Sequence, residues 1–251
     1  MSCFTDPNAL SAPDARALAD RLLAHPLVGR SQLIGTFEGS RGFGVACTVD
    51  GRARALAEHP VLAPLLPCFD ARPDALLPRE GLLRPRPRAP NAFYWNVLVV
   101  DDGQEIGRHT DGTLGAALGA LGTTPAVVSV VYLRVPDRRA GGDLVLFDDD
   151  GEVARVSPQV GMSVHFAGRL AHAIERLEGA DGPRVSAVCE QYVLDDALLA
   201  RLPALTVQSR ASDPIFSRPS SRGRGFEALL RRASPNDGPG SVDDRQRPPR
   251  S

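Results

Sequence analysis

The chain has 251 residues, 24% of them charged and 43% hydrophobic, with a formal net charge of −1. Length and composition suit one globular domain with a sizeable core, and the near-neutral balance speaks against nucleic acid or an anionic membrane as the main partner. No apolar run is long enough to span a bilayer, Met1–Leu10 lacks the charged start and apolar core of a signal peptide, and Cys3, Cys47, Cys68 and Cys189 form no CxxC pair, so the expectation is a cytoplasmic protein with four reduced thiols.

Ser11-Ala12-Pro13-Asp14 predicts a helix start, with Ser11 as cap and Pro13 in the first turn. Leu18, Leu22 and Leu23 supply its apolar stripe, and the helix should end before Pro26. Gln32–Phe37 and Phe43–Val49 read as strands joined by a Gly-containing hairpin turn, with short helices over Arg52–Glu58 and Val61–Leu66 and a Pro/Arg-rich loop over Leu77–Pro90. Residues 1–90 are therefore expected to form a helical and hairpin buttress on the core. His25 and His59 each precede a proline and read as surface or capping residues.

From Asn91 the texture changes to short strands divided by Gly, Asp and Pro turns. The predicted strands are Phe93–Val100, Gln104–His109, Ala126–Arg134, Asp143–Phe147, Glu152–Val156, Gly161–Phe166, Ala171–Leu177 and Arg184–Val193. About eight strands at this spacing imply a mainly β (α+β) fold whose core, over residues 91–208, is an antiparallel sandwich or barrel, a jelly roll among the options. The Gly/Ala-rich segment between Asp111 and Pro125 reads either as a mobile loop or as a loose helix. A short helix is expected over Asp195–Arg201. Residues 209–251, dominated by Ser, Arg, Pro and Gly, read as a disordered tail in which Phe226–Arg232 has the pattern of an amphipathic turn.

Chemistry concentrates between Gly107 and Ser186. His109 and Asp111 alternate to one face of an extended segment, and His172 follows about sixty residues later. Two histidines and one carboxylate are the donor set of a facial triad that leaves the opposite face of an iron open. Arg184 offers a planar fork suited to a carboxylate, and Ser186 shares its strand face. Tyr94 and Asn96 share one face of the first barrel strand, and Tyr132 lies on the β-branched run; each reads equally as a co-substrate contact or, for the tyrosines, as a core residue with a satisfied hydroxyl. His165 falls on the opposite face from Met162, Val164 and Phe166 and reads as structural or pocket-lining. Trp95 reads as core, and the Asp101-Asp102 and Asp148–Asp150 clusters as solvated turns.

The motifs Gly107-Arg108-His109-Thr110-Asp111, Gly141-Gly142-Asp143-Leu144, Gly161-Met162-Ser163-Val164 and His172-Ala173-Ile174 running to Arg184-Val185-Ser186 stand in a telling order. Over Asn91–Val193 the sequence resembles the 2-oxoglutarate- and Fe(II)-dependent oxygenases, most closely their prolyl-4-hydroxylase-like branch. The resemblance implies a double-stranded β-helix with His109, Asp111 and His172 as iron ligands and Arg184 pairing with the distal carboxylate of 2-oxoglutarate. It further implies O2 as co-substrate, ascorbate as an accessory reductant, and hydroxylation of an unactivated C–H bond. Related halogenases have Gly or Ala in place of the carboxylate ligand, so Asp111 argues against halogenation. The implied substrate is a small amino-acid-like, peptidyl or specialised-metabolite molecule. The rivals are a non-catalytic jelly-roll binding protein and a cupin-like metalloenzyme that does not use 2-oxoglutarate.

Overall fold

The computed structural model describes residues 3–30, 37, 39–80 and 86–209. Strand β1 (Cys3–Asp6) leads into helix α1 (Ala12–Leu23). The helix starts as its cap predicts: the Ser11 hydroxyl accepts a hydrogen bond from the Asp14 amide. Ala15, Leu18, Ala19 and Leu22 form its buried stripe, and burying each leucine stabilises the fold by about 1.5–3 kcal/mol. Then come β2 (Arg41–Thr48), α2 (Val49–Glu58), a 3-10 turn at Pro60–Leu65 and α3 (Leu66–Asp70).

The strand-rich part runs β3 (Ala92–Val100), β4 (Ile106–His109), α4 (Thr113–Ala117), β5 (Val127–Arg134), β6 (Leu144–Asp148) and β7 (Gly151–Val156). It continues with β8 (Ser163–Ala167), β9 (Ala171–Ile174), β10 (Arg184–Tyr192), α5 (Asp196–Leu199) and β11 (Leu205–Ser209). The larger sheet has the order β1-β8-β5-β10-β3-β2-β11, with Gly29–Arg30 added beside β2, and the smaller has the order β7-β6-β9-β4. From β3 to β10 the chain passes between the sheets so that β8-β5-β10-β3 in one face β7-β6-β9-β4 in the other. This is the double-stranded β-helix, or jelly roll.

Both faces of the larger sheet are covered, which explains why β3 is buried along its whole length. One face carries Phe93, Trp95, Val97, Val99, Val185, Ala187 and Cys189, and packs with α1, the 3-10 turn and α3. The opposite face, with Asn96, Leu98, Val130, Tyr132, Arg184 and Ser186, turns towards the smaller sheet and its histidines. Side-chain alternation along each strand thus separates a structural face from a functional one.

The chain on either side of the barrel also adds strands to the main sheet. β1 pairs with β8 through Cys3↔Phe166, β2 pairs with β3 through Val45↔Trp95, and β11 pairs with β2 through Leu205↔Cys47. These segments are strands of the main sheet, recruited by long-range ladder hydrogen bonds. The expected strand Gln32–Phe37 lies, apart from Phe37, outside the described residues, as does the tail from 210 onward with Phe226–Arg232. The Gly/Ala-rich segment forms the short helix α4, with Leu114, Ala117 and Leu118 fully buried against Ala46, Tyr94 and Tyr192.

Tyr94 marks how tightly β2 and β3 pack. Its hydroxyl donates to Gln208 Oε1 at 2.8 Å, and a Cβ added at Gly44 would stand 2.2 Å from that hydroxyl oxygen. Gly44→Ala is expected to destabilise the protein by about 1–3 kcal/mol through overpacking. Urea unfolding should show a lower midpoint at unchanged slope; an unchanged midpoint would contradict this packing.

Candidate metal centre

β4 and β9 are antiparallel neighbours, and His109 stands opposite His172 in their register. The two imidazole rings lie 4.3 Å apart, centroid to centroid. Asp111 follows just beyond the end of β4 and closes the cluster. Its Oδ1 lies 3.4 Å from His109 Nε2, and its Oδ2 lies 3.6 Å from His172 Nε2. One ligand atom from each residue falls within 4.8 Å of the others.

The backbone selects the tautomers. His109 Nδ1–H donates to the Gly107 carbonyl at 2.8 Å, and His172 Nδ1–H donates to the Leu170 carbonyl at 3.4 Å. Each hydrogen bond leaves the Nε2 lone pair facing Asp111, as metal-ligating histidines require. Burial lowers the His172 pKa, which favours the neutral ligand form. Burial opposes charge on Asp111, but the two imidazoles outweigh it and hold the carboxyl below its ordinary range. His109 Nε2 and Asp111 Oδ2 are buried without hydrogen-bond partners. Two unpartnered acceptors converging with a third donor atom fit a divalent transition metal.

The cluster lines a partly enclosed cavity between the two sheets. Arg184, Ser186, Tyr132 and Asn96 line it too, and Leu98, Val130, Leu144 and Val188 form apolar walls. Arg184 is 1% exposed. One of its terminal nitrogens donates to the Gly142 carbonyl at 2.6 Å, and its guanidinium carbon lies 5.2 Å from the Tyr132 ring centre. Among the described residues no carboxylate comes within ion-pair distance of it. Arg184 Nε, Ser186 Oγ and Tyr132 Oη are all buried and unpartnered. A buried guanidinium and two hydroxyls with unmet hydrogen-bonding capacity suit a carboxylate ligand.

The structure does not bring every candidate together. Tyr94 shares its strand face with Asn96 but lies outside the cavity lining, its hydroxyl bound to Gln208. It is a core tyrosine, because along the strand it sits one pleat beyond Asn96, where α4 covers it. His165 faces away from the cavity: its Nδ1 meets Ser129 Oγ at 2.8 Å and its Nε2 meets Ser163 Oγ at 3.2 Å. Trp95 is buried in the structural core. His25 stacks on Phe43 and accepts from the Leu27 amide, while His59 caps α2.

Two cavity residues escaped the sequence reading. Phe37 packs edge-on against the His109 ring, with centroids 4.8 Å apart; no spacing rule links it to the motif. Glu190 is 3% exposed and lines the cavity near Asp111. Burial first, and the Asp111 charge second, push its carboxyl up to about 8. The alternation that joined Arg184 to Ser186 reaches Glu190 two steps later, so that signal was available.

No protein-family model matches the chain, and no curated protein matches it. Among solved structures it is similar to a prolyl hydroxylase from Trichoplax adhaerens in complex with a hypoxia inducible factor oxygen degradation domain peptide fragment (TM-score 0.51, 17% identity, covering 79% of this chain and 86% of that one). It is also similar to a Pseudomonas putida prolyl-4-hydroxylase (TM-score 0.48, 19% identity, 77% and 94% covered). A third similar structure is a viral collagen prolyl hydroxylase from Paramecium Bursaria Chlorella virus-1 in its 2OG complex (TM-score 0.48, 16% identity, 77% and 97% covered). The Trichoplax likeness shows that the chain shares the fold of that prolyl hydroxylase.

Two measurements test the site as built. Asp111→Ala and His172→Ala should each weaken Co(II) binding by more than about 100-fold in calorimetry, whereas Tyr94→Phe should leave it intact and cost about 1 kcal/mol of stability. Equal Co(II) affinity in all variants would refute the cluster. His165, held neutral by burial with its pKa lowered to about 4, binds a proton more readily when unfolded. Its contribution to stability is present above about 6.5 and is lost as pH falls towards 4. His165→Gln should flatten the dependence of unfolding free energy on pH over that window; an unaltered profile would contradict a buried neutral imidazole.

Proposed function

We propose that the protein is an Fe(II)- and 2-oxoglutarate-dependent dioxygenase that hydroxylates an unactivated C–H bond. The observation that carries this reading is the coincidence, in one cavity, of a His109–Asp111–His172 cluster and a buried Arg184 without a carboxylate partner among the described residues. A metal site alone would suit many chemistries. A guanidinium deep in the same cavity calls for an anionic co-substrate beside the metal.

His109, Asp111 and His172 would hold the ferrous ion, the imidazoles fixed in their tautomers by the Gly107 and Leu170 carbonyls. The chemistry such a centre supplies is activation of O2 coupled to oxidative decarboxylation of 2-oxoglutarate to succinate and CO2. Arg184 would bind the distal carboxylate of the co-substrate, with Ser186 and Tyr132 offering hydroxyl hydrogen bonds. The Gly142 carbonyl keeps the guanidinium oriented, and Gly141 permits that turn: its φ is +65°, and a Cβ there would stand 2.2 Å from the Arg176 carbonyl oxygen. Leu98, Val130 and Val188, apolar residues of the same lining, would limit water around the bound co-substrate. Asn96, on the same face and in the cavity lining, would hydrogen-bond the co-substrate or the substrate.

For substrate we favour an amino-acid-like group, free or within a peptide. The shared fold with a prolyl hydroxylase solved with a peptide fragment supports this class, and a net charge of −1 gives no electrostatic case for nucleic acid. Among the described residues no helix is long and apolar enough to cross a membrane.

Reconstitution with Fe(II), 2-oxoglutarate and O2 should yield succinate, and a screen of free and peptidyl amino acids should find one that gains a single oxygen by mass. Arg184→Leu is expected to raise the KM for 2-oxoglutarate about 10- to 100-fold, as losing hydrogen bonds to a charged group costs about 1.5–3 kcal/mol. Turnover indifferent to Arg184→Leu would point instead to a metalloenzyme that does not use 2-oxoglutarate. No iron uptake would leave a non-catalytic binding fold.

A further inference from the structure

The two histidines of the cluster sit on paired strands, but Asp111 does not. β4 ends at His109, and Asp111 lies on irregular backbone before α4. Its neighbour Gly112, which immediately precedes α4 at the N-cap, brings no side chain to cap that helix. The first two amides of α4 are instead met from across the fold, by β10. Glu190 Oε2 accepts from the Thr113 amide at 3.2 Å, and Oε1 accepts from the Thr113 hydroxyl at 2.6 Å. The Tyr192 hydroxyl donates to Glu190 Oε2 and accepts from the Leu114 amide at 3.3 Å. Glu190 and Tyr192 share the β10 face that also carries Arg184 and Ser186, and both are almost wholly buried.

We propose that Glu190 is a positioning residue for Asp111, holding the segment of the carboxylate ligand against β10 through Thr113. The inference rests on the reading of Asp111 as a metal ligand. A buried carboxyl is costly, and here its acceptor capacity goes to the residue two positions from the one ligand that no sheet fixes. The same strand then sets both ends of the cavity: Arg184 at the co-substrate end and, through Glu190, Asp111 at the other.

The test compares Glu190→Leu, Glu190→Gln, Thr113→Val and the Thr113→Val/Glu190→Leu double variant in the full chain. Glu190→Leu should weaken Co(II) binding about 10- to 100-fold, as loss of an outer partner does at other metal sites. It should also alter the visible d–d spectrum of bound Co(II) and speed amide exchange at Thr113 and Leu114 in the metal-free protein. Glu190→Gln, which keeps an acceptor, should restore both the spectrum and the slow exchange. The double variant should bind Co(II) no more weakly than Glu190→Leu alone, since both changes break one link. Wild-type affinity and spectrum in Glu190→Leu, or fully additive effects in the double variant, would overturn the proposal. Failure of the unaltered protein to take up Co(II) would overturn the metal-centre reading itself, while amide exchange would still report whether Glu190 holds the segment.

Discussion

The site depends on one cross-strand pair. His109 and His172 stand opposite each other where β4 meets β9, and side chains in that relation point the same way from a pleated sheet at a separation of a few ångströms. A slip of one residue in this register would send one imidazole to the far side of the sheet. The rest of the smaller sheet, with Leu146 facing His172 from β6, holds that register, and the carbonyls two residues before each histidine turn the rings. Fold and ligand geometry are therefore one constraint.

Opposite the histidines, the larger sheet sets the electrostatics. Arg184 is desolvated, and burial lowers its pKa from the usual arginine range; Asp111 is buried with one oxygen unpartnered. Neither charge is near the other's hydrogen-bonding reach among the described contacts. Buried charges left this way destabilise a fold unless a ligand completes them. The apolar walls between them make the penalty larger and any completing ligand more tightly held. Under the proposed function, one end of the cavity would take the metal and the other the anion, and the structural face of the same sheet, with Trp95 and Phe93 over α1 and α3, supplies the core that offsets the cost.

Much of this was legible in the residues. The run from Ala126 to Arg134 is so rich in β-branched side chains that only a buried strand accommodates it, and the eight barrel strands fall within a few residues of their expected bounds. The face shared by Arg184 and Ser186 follows from alternation alone. Tyr94 shows the limit of that rule: alternation gives the face of a strand and not the depth along it, and its pairing with Glu190 rather than with Ser186 places it beneath α4. β1 and β11 were illegible because their partners are far along the chain; Leu205 meets Cys47 through a ladder that no local pattern encodes. For Glu190 alternation gives the face it shares with Arg184, but nothing local in the sequence shows that Thr113 and Tyr192 meet it in a buried site.

The central claim is that the imidazoles, Asp111 and the Arg184 guanidinium serve a single chelated co-substrate. Anaerobic titration of the protein with Fe(II), followed by 2-oxoglutarate, tests it most directly. A weak visible charge-transfer band should appear only when both are present, saturating at one equivalent of each. A protein that binds Fe(II) yet develops no band with 2-oxoglutarate, or develops none with either, would contradict it.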